Sequence, residues 1–287
     1  MIIIDRHVGQ MCNRLWSLLP IISYSFERKE KVVILWSPKD IEIYFPNLTK
    51  TKNIYFLFSG VSRPAWWWRI ENVLQGVFPN VNEPLELFNP KGKYHVHFID
   101  AWKHSDDASF IKKNKEIIKE LFTPNKIVFN KISKTICFFN GYTIGIHIRR
   151  GDYKEYLCGR YYYSIDKWAK YIDFLNSQFG DKQVRFLICS NEQDIGNKIA
   201  ELLPNINIIS IADTDGLTDL YALSICDYIL GVPSSYSQWA SFVGDVPLYL
   251  ITDDRFPQIE NFHKITHFNH FDDGSRLLFK QNNFQIV

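Results

Sequence analysis

One buried strand that ends at two adjacent arginines constrains this chain more than any other feature. The apolar run from Tyr142 to Ile148 stops abruptly at Arg149-Arg150-Gly151-Asp152. Paired guanidiniums beside a glycine that lets the backbone turn can bind a phosphate or diphosphate through bidentate hydrogen bonds. In open α/β sheets, ligands bind beyond this end of a strand. The same letters also fit a surface loop in which the arginines pair with Asp152 and Glu155.

The length and composition fit a globular protein with two domains or one large α/β unit. The chain has 287 residues, of which 46% are hydrophobic and 22% are charged, so it can bury a sizeable core. The formal net charge is only +2. Because nucleic-acid binding depends on a dense basic field, this charge argues against a nucleic-acid partner.

The spacing of cysteine and histidine predicts no metal site. Five cysteines are widely separated, eight histidines are scattered, and no pair of cysteines has the spacing of zinc ligands. An odd number of separated cysteines is typical of reduced thiols in a cytoplasmic protein. The chain enters a strand at once, and no apolar run approaches the ~18 residues of a membrane span. We therefore expect a cytoplasmic protein without a bound metal.

Short apolar runs alternate with amphipathic stretches, which is the pattern of βα units. The region from Trp36 to Tyr94 is broken by six prolines, whereas the part that follows residue 140 is regular. This asymmetry predicts an amino-terminal domain of variable loops, residues 1–140, and a carboxy-terminal Rossmann-like domain, residues 141–287.

A second polar group, Ser190-Asn191-Glu192, follows the predicted strand Val184–Cys189. A carboxylate or amide oxygen at this position can accept hydrogen bonds from the N1 and N2 donors of guanine. Alternatively, Ser190 or Asn191 caps the next helix with Glu192 in its first turn, and no ligand is involved. Both interpretations fit the sequence.

Two further turns connect a predicted strand to a predicted helix. Ser234-Ser235-Tyr236 follows the strand Tyr228–Leu230, so its hydroxyls and the first helical N–H groups can hold a diphosphate from the side opposite the arginines. The serines can equally be helix caps. Near the amino terminus, the turn from Gly9 to Asn13 either offers backbone N–H groups to an anion or is an ordinary turn capped by Asn13.

Four motifs, in the same order along the chain, resemble those of the α1,2-fucosyltransferase family. The segment from His147 to Tyr153 resembles the family signature HxRRGDY, which is similar to the corresponding peptide of the α1,6- and protein O-fucosyltransferases. Three other segments resemble the amino-terminal, tyrosine-rich and serine-rich motifs: Gly9 to Leu15, Tyr161 to Lys170 and Leu220 to Phe242. The family pattern is broken at Cys12, at Asn191-Glu192 and at Gln238, which bears on linkage and acceptor specificity.

The resemblance implies an α/β fold of GT-B type, with two Rossmann-like domains that face a cleft. It implies an inverting fucosyltransferase that needs no metal or other cofactor and moves L-fucose from GDP-fucose to a glycan or glycolipid hydroxyl, in an α1,2 linkage to galactose. The donor is expected in residues 141–287 and the acceptor in residues 1–140. The alternatives are an α1,6- or protein O-fucosyltransferase, and a non-catalytic protein that binds GDP-sugars or carbohydrate.

The resemblance also assigns roles in the donor site. Arg149 is the expected diphosphate clamp, and Arg150 either shares the diphosphate or holds the loop through Asp152. Arginines can neutralise the departing GDP where other enzymes use a metal ion. The remaining expected donor contacts are Gly9, Asn13, His147, Asn191, Glu192, Ser234, Ser235 and Tyr236.

Inversion by direct displacement requires a base within reach of the acceptor hydroxyl. The candidates are Asp152, Glu155, Asp100 and Asp5.

Tryptophans are the candidate acceptor contacts. Trp102 follows the strand that carries Asp100, and Trp67 is the centre of the run Trp66-Trp67-Trp68. Indoles stack on sugars and favour membrane interfaces, so the run predicts either an acceptor contact or peripheral attachment to a membrane. Core packing is the alternative, because three consecutive tryptophans cannot all face one way.

Overall fold

The computed structural model describes residues 1–89, 95–136 and 139–270. The chain divides into two compact units, Met1–Asn125 and Lys126–Val287, and each contains a parallel sheet of five strands. The predicted α/β class with two Rossmann-like units is therefore confirmed. The division lies before residue 126 instead of after residue 140, because the helix that begins at Lys126 packs against a helix of the second unit.

The first unit has strands in the order β3-β2-β1-β5-β4. Its strands are β1 Ile2–Ile4, β2 Val32–Leu35, β3 Ile54–Leu57, β4 Asn80–Val81 and β5 His97–Ile99. Its helices are α1 Met11–Arg28, α2 Lys39–Tyr44, α3 Pro46–Thr49, α4 Trp67–Val77 and α5 Ile111–Leu121. The central helix α1 is buried along most of its length and packs against α5, so the core of this unit lies around α1.

The second unit has strands in the order β10-β9-β6-β7-β8. Its strands are β6 Tyr142–Ile148, β7 Val184–Ser190, β8 Asn207–Ile209, β9 Tyr228–Gly231 and β10 Leu248–Leu250. Its helices are α6 Lys126–Thr135, α7 Ile165–Ser177, α8 Ile195–Leu202, α9 Gly216–Leu223 and α10 Ser235–Gly244. The strand order reverses between β6 and β9, and such a reversal opens the crevice where Rossmann-like sheets bind ligands.

The central strand β6 is buried along almost its whole length because it is covered on both faces, as its apolar sequence predicts. In its register, His147 lies beside Cys189 of β7 and Gly231 of β9. A side chain at Gly231 would start 2.7 Å from the Ser237 hydroxyl and 3.4 Å from the His147 Cβ. Glycine at this position therefore lets α10 approach β6 closely.

Helix α4 is a segment that the sequence does not predict as a helix. Prolines at 64 and 79 flank it, and the aromatic run at its start was expected to be a loop or a stacking surface. The structure shows Trp67 turned partly inward, while Trp66 and Trp68 are exposed. The expectation that the three tryptophans diverge is therefore confirmed. No helix in the described part of the chain is both long and apolar enough to cross a membrane.

The close approach of α10 to the end of α9 gives a stability prediction. A Cβ at Gly244 would lie 1.9 Å from the carbonyl oxygen of Ser224, a backbone atom that cannot rotate away. We expect Gly244→Ala to lower the free energy of unfolding by roughly 1–3 kcal/mol through overpacking. Urea denaturation followed by circular dichroism measures the change.

Gly76→Ala is the matched control, since Gly76 lies in α4 with nothing within 4 Å of its would-be Cβ. There the methyl group should be neutral or stabilising by up to about 1 kcal/mol, through helix propensity. Equal effects at the two glycines would contradict the close approach of α10 and α9.

Candidate functional site

The carboxyl ends of β6, β7 and β9 bring three predicted motifs to one edge of the second sheet. β6 lies between β9 and β7, and all three strands are parallel. Arg149 and Arg150 follow β6, Asn191 and Glu192 follow β7, and the serines at the start of α10 follow β9. Parallel pairing alone therefore places these side chains around one crevice.

Arg149 forms a two-pronged ion pair with Asp152 in the turn that follows β6. Its Nε donates to Oδ1 at 3.0 Å and its Nη2 donates to Oδ2 at 2.8 Å. Burial lowers the pKa of Arg149, but the hydrogen bond and charge of Asp152 raise it more, so the side chain stays a cation. Arg149 is mostly buried, whereas more than half of the Asp152 side chain is exposed. The guanidinium is thus fixed, and its partner faces solvent.

Arg150 is held by protein groups on all three guanidinium nitrogens. Its Nε donates to Glu192 Oε2 at 2.9 Å, its Nη1 to the carbonyl oxygen of Tyr163 at 2.7 Å, and its Nη2 to the Tyr162 hydroxyl. The Tyr162 ring also lies under the guanidinium, 4.4 Å from its carbon. The expectation that Arg150 holds the loop through Asp152 is corrected: Asp152 pairs with Arg149, and Arg150 anchors the loop through Glu192 and the two tyrosines.

Asn191 and Glu192 bind the backbone of the same turn. Asn191 Oδ1 accepts from the N–H of Arg150 at 2.8 Å, and Glu192 Oε1 accepts from the N–H of Gly151 at 3.0 Å. Gly151 has a φ of +52°, and a Cβ there would lie 2.9 Å from the Asn191 amide nitrogen. Burial raises the pKa of Glu192, but the hydrogen bonds from Arg150 and Gly151 lower it below the usual value.

The alternative role of this group as a helix cap is not what the structure shows. Helix α8 begins at Ile195 with Asp194 at its N-cap, beyond the three residues. Ser190 instead accepts from the N–H of Glu192 at 3.1 Å. Both carboxylate oxygens of Glu192 have partners in the protein, and its role in reading guanine stays a prediction.

His147 is a buried, neutral side chain at the centre of the crevice. The distance between its Nδ1 and the Ser237 hydroxyl is 2.6 Å, and its ring stacks on Tyr236 with the centroids 4.6 Å apart. Burial, and next the charge of Arg149, lower the pKa of His147 to about 3. The imidazole therefore adds no positive charge to the site at neutral pH.

The start of α10 is capped by its own serine. The Ser234 hydroxyl accepts from the N–H of Tyr236 at 3.1 Å, and Ser235 is the first helical residue. The Tyr236 hydroxyl donates to the carbonyl oxygen of Gly216 at 2.6 Å, which ties α10 to the start of α9. The capping role of Ser234 is thus present, and its contact with a donor stays a prediction.

Two adjoining cavities lie at this edge of the sheet. The smaller, of about 220 Å³, is lined among others by His147, Arg149 and Tyr236. The larger, of about 620 Å³, lies beyond the ends of β7 and β8. Both are lined by Ser190, Asn191, Thr214 and Asp219. Their connection by shared walls fits a ligand with an anionic part and a second, larger part.

Asp219 lines both cavities, although its sequence context does not single it out. It lies in the first turn of α9, not at a strand end, and its Oδ1 accepts from the Thr214 hydroxyl at 2.6 Å. Burial raises the pKa of this carboxyl to about 6. Nothing in the sequence separates Asp219 from the neighbouring N-cap Asp215, because its burial beside two cavities is visible only in the structure.

The first unit holds the other predicted residues. Gly9 has a φ of +67°, and a Cβ there would lie 2.2 Å from the Asn13 amide nitrogen in the first turn of α1. Asp100 is close to Lys103, with 4.0 Å between Oδ2 and Nζ, and Trp102 is half-buried in the short helical turn Ala101–His104. In the second unit, Glu155 is exposed on the turn after Asp152.

A buried charge cluster lies at the end of β1. Glu71 accepts from Arg6 at 2.7 Å and from Arg63, and Trp67 Nε1 donates to Asp5 at 3.4 Å. Burial, and next the charge of Glu71, raise the pKa of Asp5. No group of three His, Cys, Asp or Glu side chains in the described ranges is arranged to hold a metal ion.

The buried His147 gives a pH prediction. Its pKa is about 3 in the folded protein and 6.5 in a model peptide, so below pH 6.5 the unfolded chain binds a proton that the folded protein does not. This contribution to stability is complete above pH 6.5 and is lost as the pH falls towards 3, with a slope of up to ~1.4 kcal/mol per pH unit.

We expect the free energy of unfolding of His147→Asn to fall less steeply between pH 7 and about pH 5 than that of the unmodified protein, because asparagine takes up no proton. Urea denaturation at each pH measures both slopes, and identical slopes would show that His147 titrates normally in the fold.

Comparisons by sequence find no counterpart: no family model matches the chain, and no curated protein matches it. Comparison with solved structures finds similar proteins. The fucosyltransferase NodZ from Bradyrhizobium is similar with a TM-score of 0.58 at 15% identity, over 87% of this chain and 94% of NodZ. NodZ described as an α1,6-fucosyltransferase and soaked with GDP-fucose gives a TM-score of 0.55 over the same shares.

Two further solved structures are similar. An Arabidopsis thaliana FUT1 mutant in complex with GDP gives a TM-score of 0.56 at 12% identity, over 90% of this chain and 71% of FUT1. POFUT1 in complex with GDP gives a TM-score of 0.54 at 11% identity, over 85% of this chain and 94% of POFUT1. At these identities the likeness establishes the fold, and the expected GT-B fold is thereby confirmed.

Proposed function

We propose that this chain is an inverting, metal-independent fucosyltransferase that transfers L-fucose from GDP-fucose to a hydroxyl of a glycan. The observation that carries the proposal is the position of Arg149, fixed at the switch point of the second sheet and lining a cavity beside the start of α10. Three of the similar solved structures contain GDP or GDP-fucose, which supports the choice of donor.

In this proposal the diphosphate lies between Arg149 and the start of α10. A planar guanidinium binds phosphate oxygens with two parallel hydrogen bonds. The amino-terminal end of a helix adds backbone dipoles that favour an anion. Two opposed positive groups thus stabilise the charge that develops on GDP as the bond to fucose breaks.

The guanosine part lies in the larger cavity. Its Watson–Crick edge presents two N–H donors, and a carboxylate is the acceptor that matches both. Asp219 lines this cavity, where its Oδ1 accepts a hydrogen bond from the Thr214 hydroxyl. We assign guanine recognition to Asp219. The expected Asn191 and Glu192 are the alternative, and their side-chain oxygens accept from the backbone N–H groups of Arg150 and Gly151.

The reaction is a displacement at the anomeric carbon of fucose. A base accepts the proton of the acceptor hydroxyl, the hydroxyl oxygen attacks, and GDP leaves with the electron pair of the broken bond. Both oxygens of Asp152 accept from Arg149, so we assign Asp152 to holding the clamp. Glu155, Asp100 and Asp5 are the remaining proposed bases.

The proposed linkage is α1,2 to galactose, which rests on the resemblance of the signature motif to that family. The α1,6 linkage and transfer to protein are the alternatives, and solved fucosyltransferases named for α1,6 transfer share this fold. Methylation analysis of the product formed on galactose-terminated oligosaccharides decides between the linkages. A protein that binds GDP-fucose without turnover would be a non-catalytic binder.

The first test is the loss of donor binding in Arg149→Ala. Calorimetric titration with GDP-fucose in EDTA should show metal-independent binding that the variant weakens by at least ~30-fold, because an uncompensated diphosphate costs ~2 kcal/mol or more. Arg255→Ala is the matched control, since Arg255 also forms a two-pronged contact with a neighbouring acid, Asp253.

The control variant should bind GDP-fucose as the unmodified protein does. Equal affinity of the Arg149→Ala variant, or absence of binding to GDP-fucose and GDP alike, would refute the donor site.

The second test concerns the recognition of guanine. GDP should bind more tightly than IDP, which lacks the N2 amine, and Asp219→Asn should reduce this preference by about tenfold, because its amide accepts with one oxygen only. Since burial raises the pKa of Asp219 to about 6, the preference should grow as the pH rises through that value.

Glu192→Gln serves as the comparison. If Asp219 reads guanine, this variant keeps the preference for GDP over IDP even where overall affinity falls. Loss of the preference in Glu192→Gln together with its retention in Asp219→Asn would restore Glu192 as the group that recognises guanine.

A further inference from the structure

Helix α4 and its two flanking residues carry two stripes of side chains, and the structure buries only one of them. Trp67, Glu71, Leu74 and Phe78 recur at helical spacing, and these side chains are buried or half-buried. One position earlier, a second stripe recurs at the same spacing: Trp66, Ile70, Val73 and Val77. All four members of the second stripe are exposed, with Val73 at 68% and Trp66 at 56% of full exposure. We call these four residues the outer stripe.

The outer stripe is held rigidly by the buried side of the helix. Glu71 is only 1% exposed and forms ion pairs with Arg6 and Arg63. The Trp67 ring packs edge-on against Trp36, which stacks on Phe58 with centroids 4.7 Å apart. Removing one partner of a buried ion pair is strongly destabilising, so α4 cannot simply rotate to bury the outer stripe.

Other apolar side chains near this helix in the sequence are exposed as well. Phe58 and Val61, in the loop before α4, are more than half exposed, and so is Trp68. Exposed apolar side chains that recur along one helix face are a candidate surface for a partner or a membrane.

The charges around the patch are positive. From Ile54 to Asn82 the only acidic side chain is Glu71, which is buried and neutralised. Arg69 is exposed next to the outer stripe, 5.5 Å from the Trp68 ring, and forms no part of the ion pairs of Glu71. Tryptophan and arginine beside aliphatic side chains match the interface of a bilayer that carries anionic lipids.

The size of the patch favours a bilayer over a second copy of the chain. A helix of 11 residues is about 16 Å long and roughly 10 Å wide, a footprint near 160 Å². Stable protein interfaces bury about 800 Å² on each partner. A bilayer has no such threshold, because each inserted apolar group adds to binding independently.

We propose that the outer stripe of α4 inserts into the interfacial region of an anionic lipid bilayer and attaches the protein peripherally. The helix lies parallel to the membrane plane, with Trp66, Ile70, Val73 and Val77 towards the acyl chains and Arg69 among the headgroups. The attachment is independent of the proposed transfer reaction and requires no nucleotide.

Flotation of the full chain with vesicles tests this proposal. Vesicles of phosphatidylcholine alone are compared with vesicles that also contain phosphatidylglycerol. The unmodified protein should float with the anionic vesicles, more weakly with the neutral ones, and less at high salt. Val73→Glu should reduce the bound fraction at least about tenfold, because a carboxylate replaces an inserted apolar group beside anionic headgroups.

Ile127→Glu is the matched control, since Ile127 is a β-branched residue of α6 with 67% exposure. It should float as the unmodified protein does, and both variants should keep the far-ultraviolet circular dichroism of the parent. Equal flotation of Val73→Glu and the parent, or no flotation of the parent with either vesicle, overturns the proposal. A lipid-free dimer in light scattering that Val73→Glu dissociates also overturns it, because the patch would then be an interface between copies.

Discussion

The ion pair between Arg150 and Glu192 is the interaction on which the geometry of the site depends. It joins the ends of two neighbouring strands, β6 and β7, and Glu192 simultaneously binds the N–H of Gly151. The left-handed conformation of Gly151 turns the chain back over the sheet. The backbone is thus fixed at Arg150 and Gly151, and the preceding Arg149 is held by its hydrogen bonds to Asp152.

The two arginines are about equally buried, and they differ in their partners. Every guanidinium nitrogen of Arg150 donates a hydrogen bond to a protein group, which offsets the free-energy cost of removing the charge from water. Arg149 lies against a cavity and balances its charge with one carboxylate that faces solvent. His147 beside them remains neutral, so the positive charge that faces the smaller cavity comes from Arg149 and from the start of α10.

Much of this arrangement was predictable because it follows from strand pairing. The runs Tyr142–Ile148, Val184–Cys189 and Tyr228–Leu230 lie on three adjacent parallel strands, so the residues that follow them necessarily meet.

The division between the arginines was not predictable, because it depends on how Tyr162 and Tyr163 return to Arg150. That return passes through Leu157 and Cys158, whose φ values of +48° and +57° no sequence pattern announces for these residue types. Helix α4 was missed because a charged residue, Glu71, occupies its buried stripe and aliphatic residues occupy the outer one. Asp219 was missed because it contributes from a helix and not from a strand end.

The pairing of Arg149 with Asp152 has a consequence for which anions the crevice retains. Asp152 is tethered three residues away and behaves as an internal competitor, with an effective concentration in the millimolar range or above. A solitary anion such as free phosphate must displace this carboxylate by itself. A ligand that also binds at a second point loses less binding free energy when it displaces Asp152. The turn therefore lowers the affinity for small anions more than the affinity for larger anions that are held at two points.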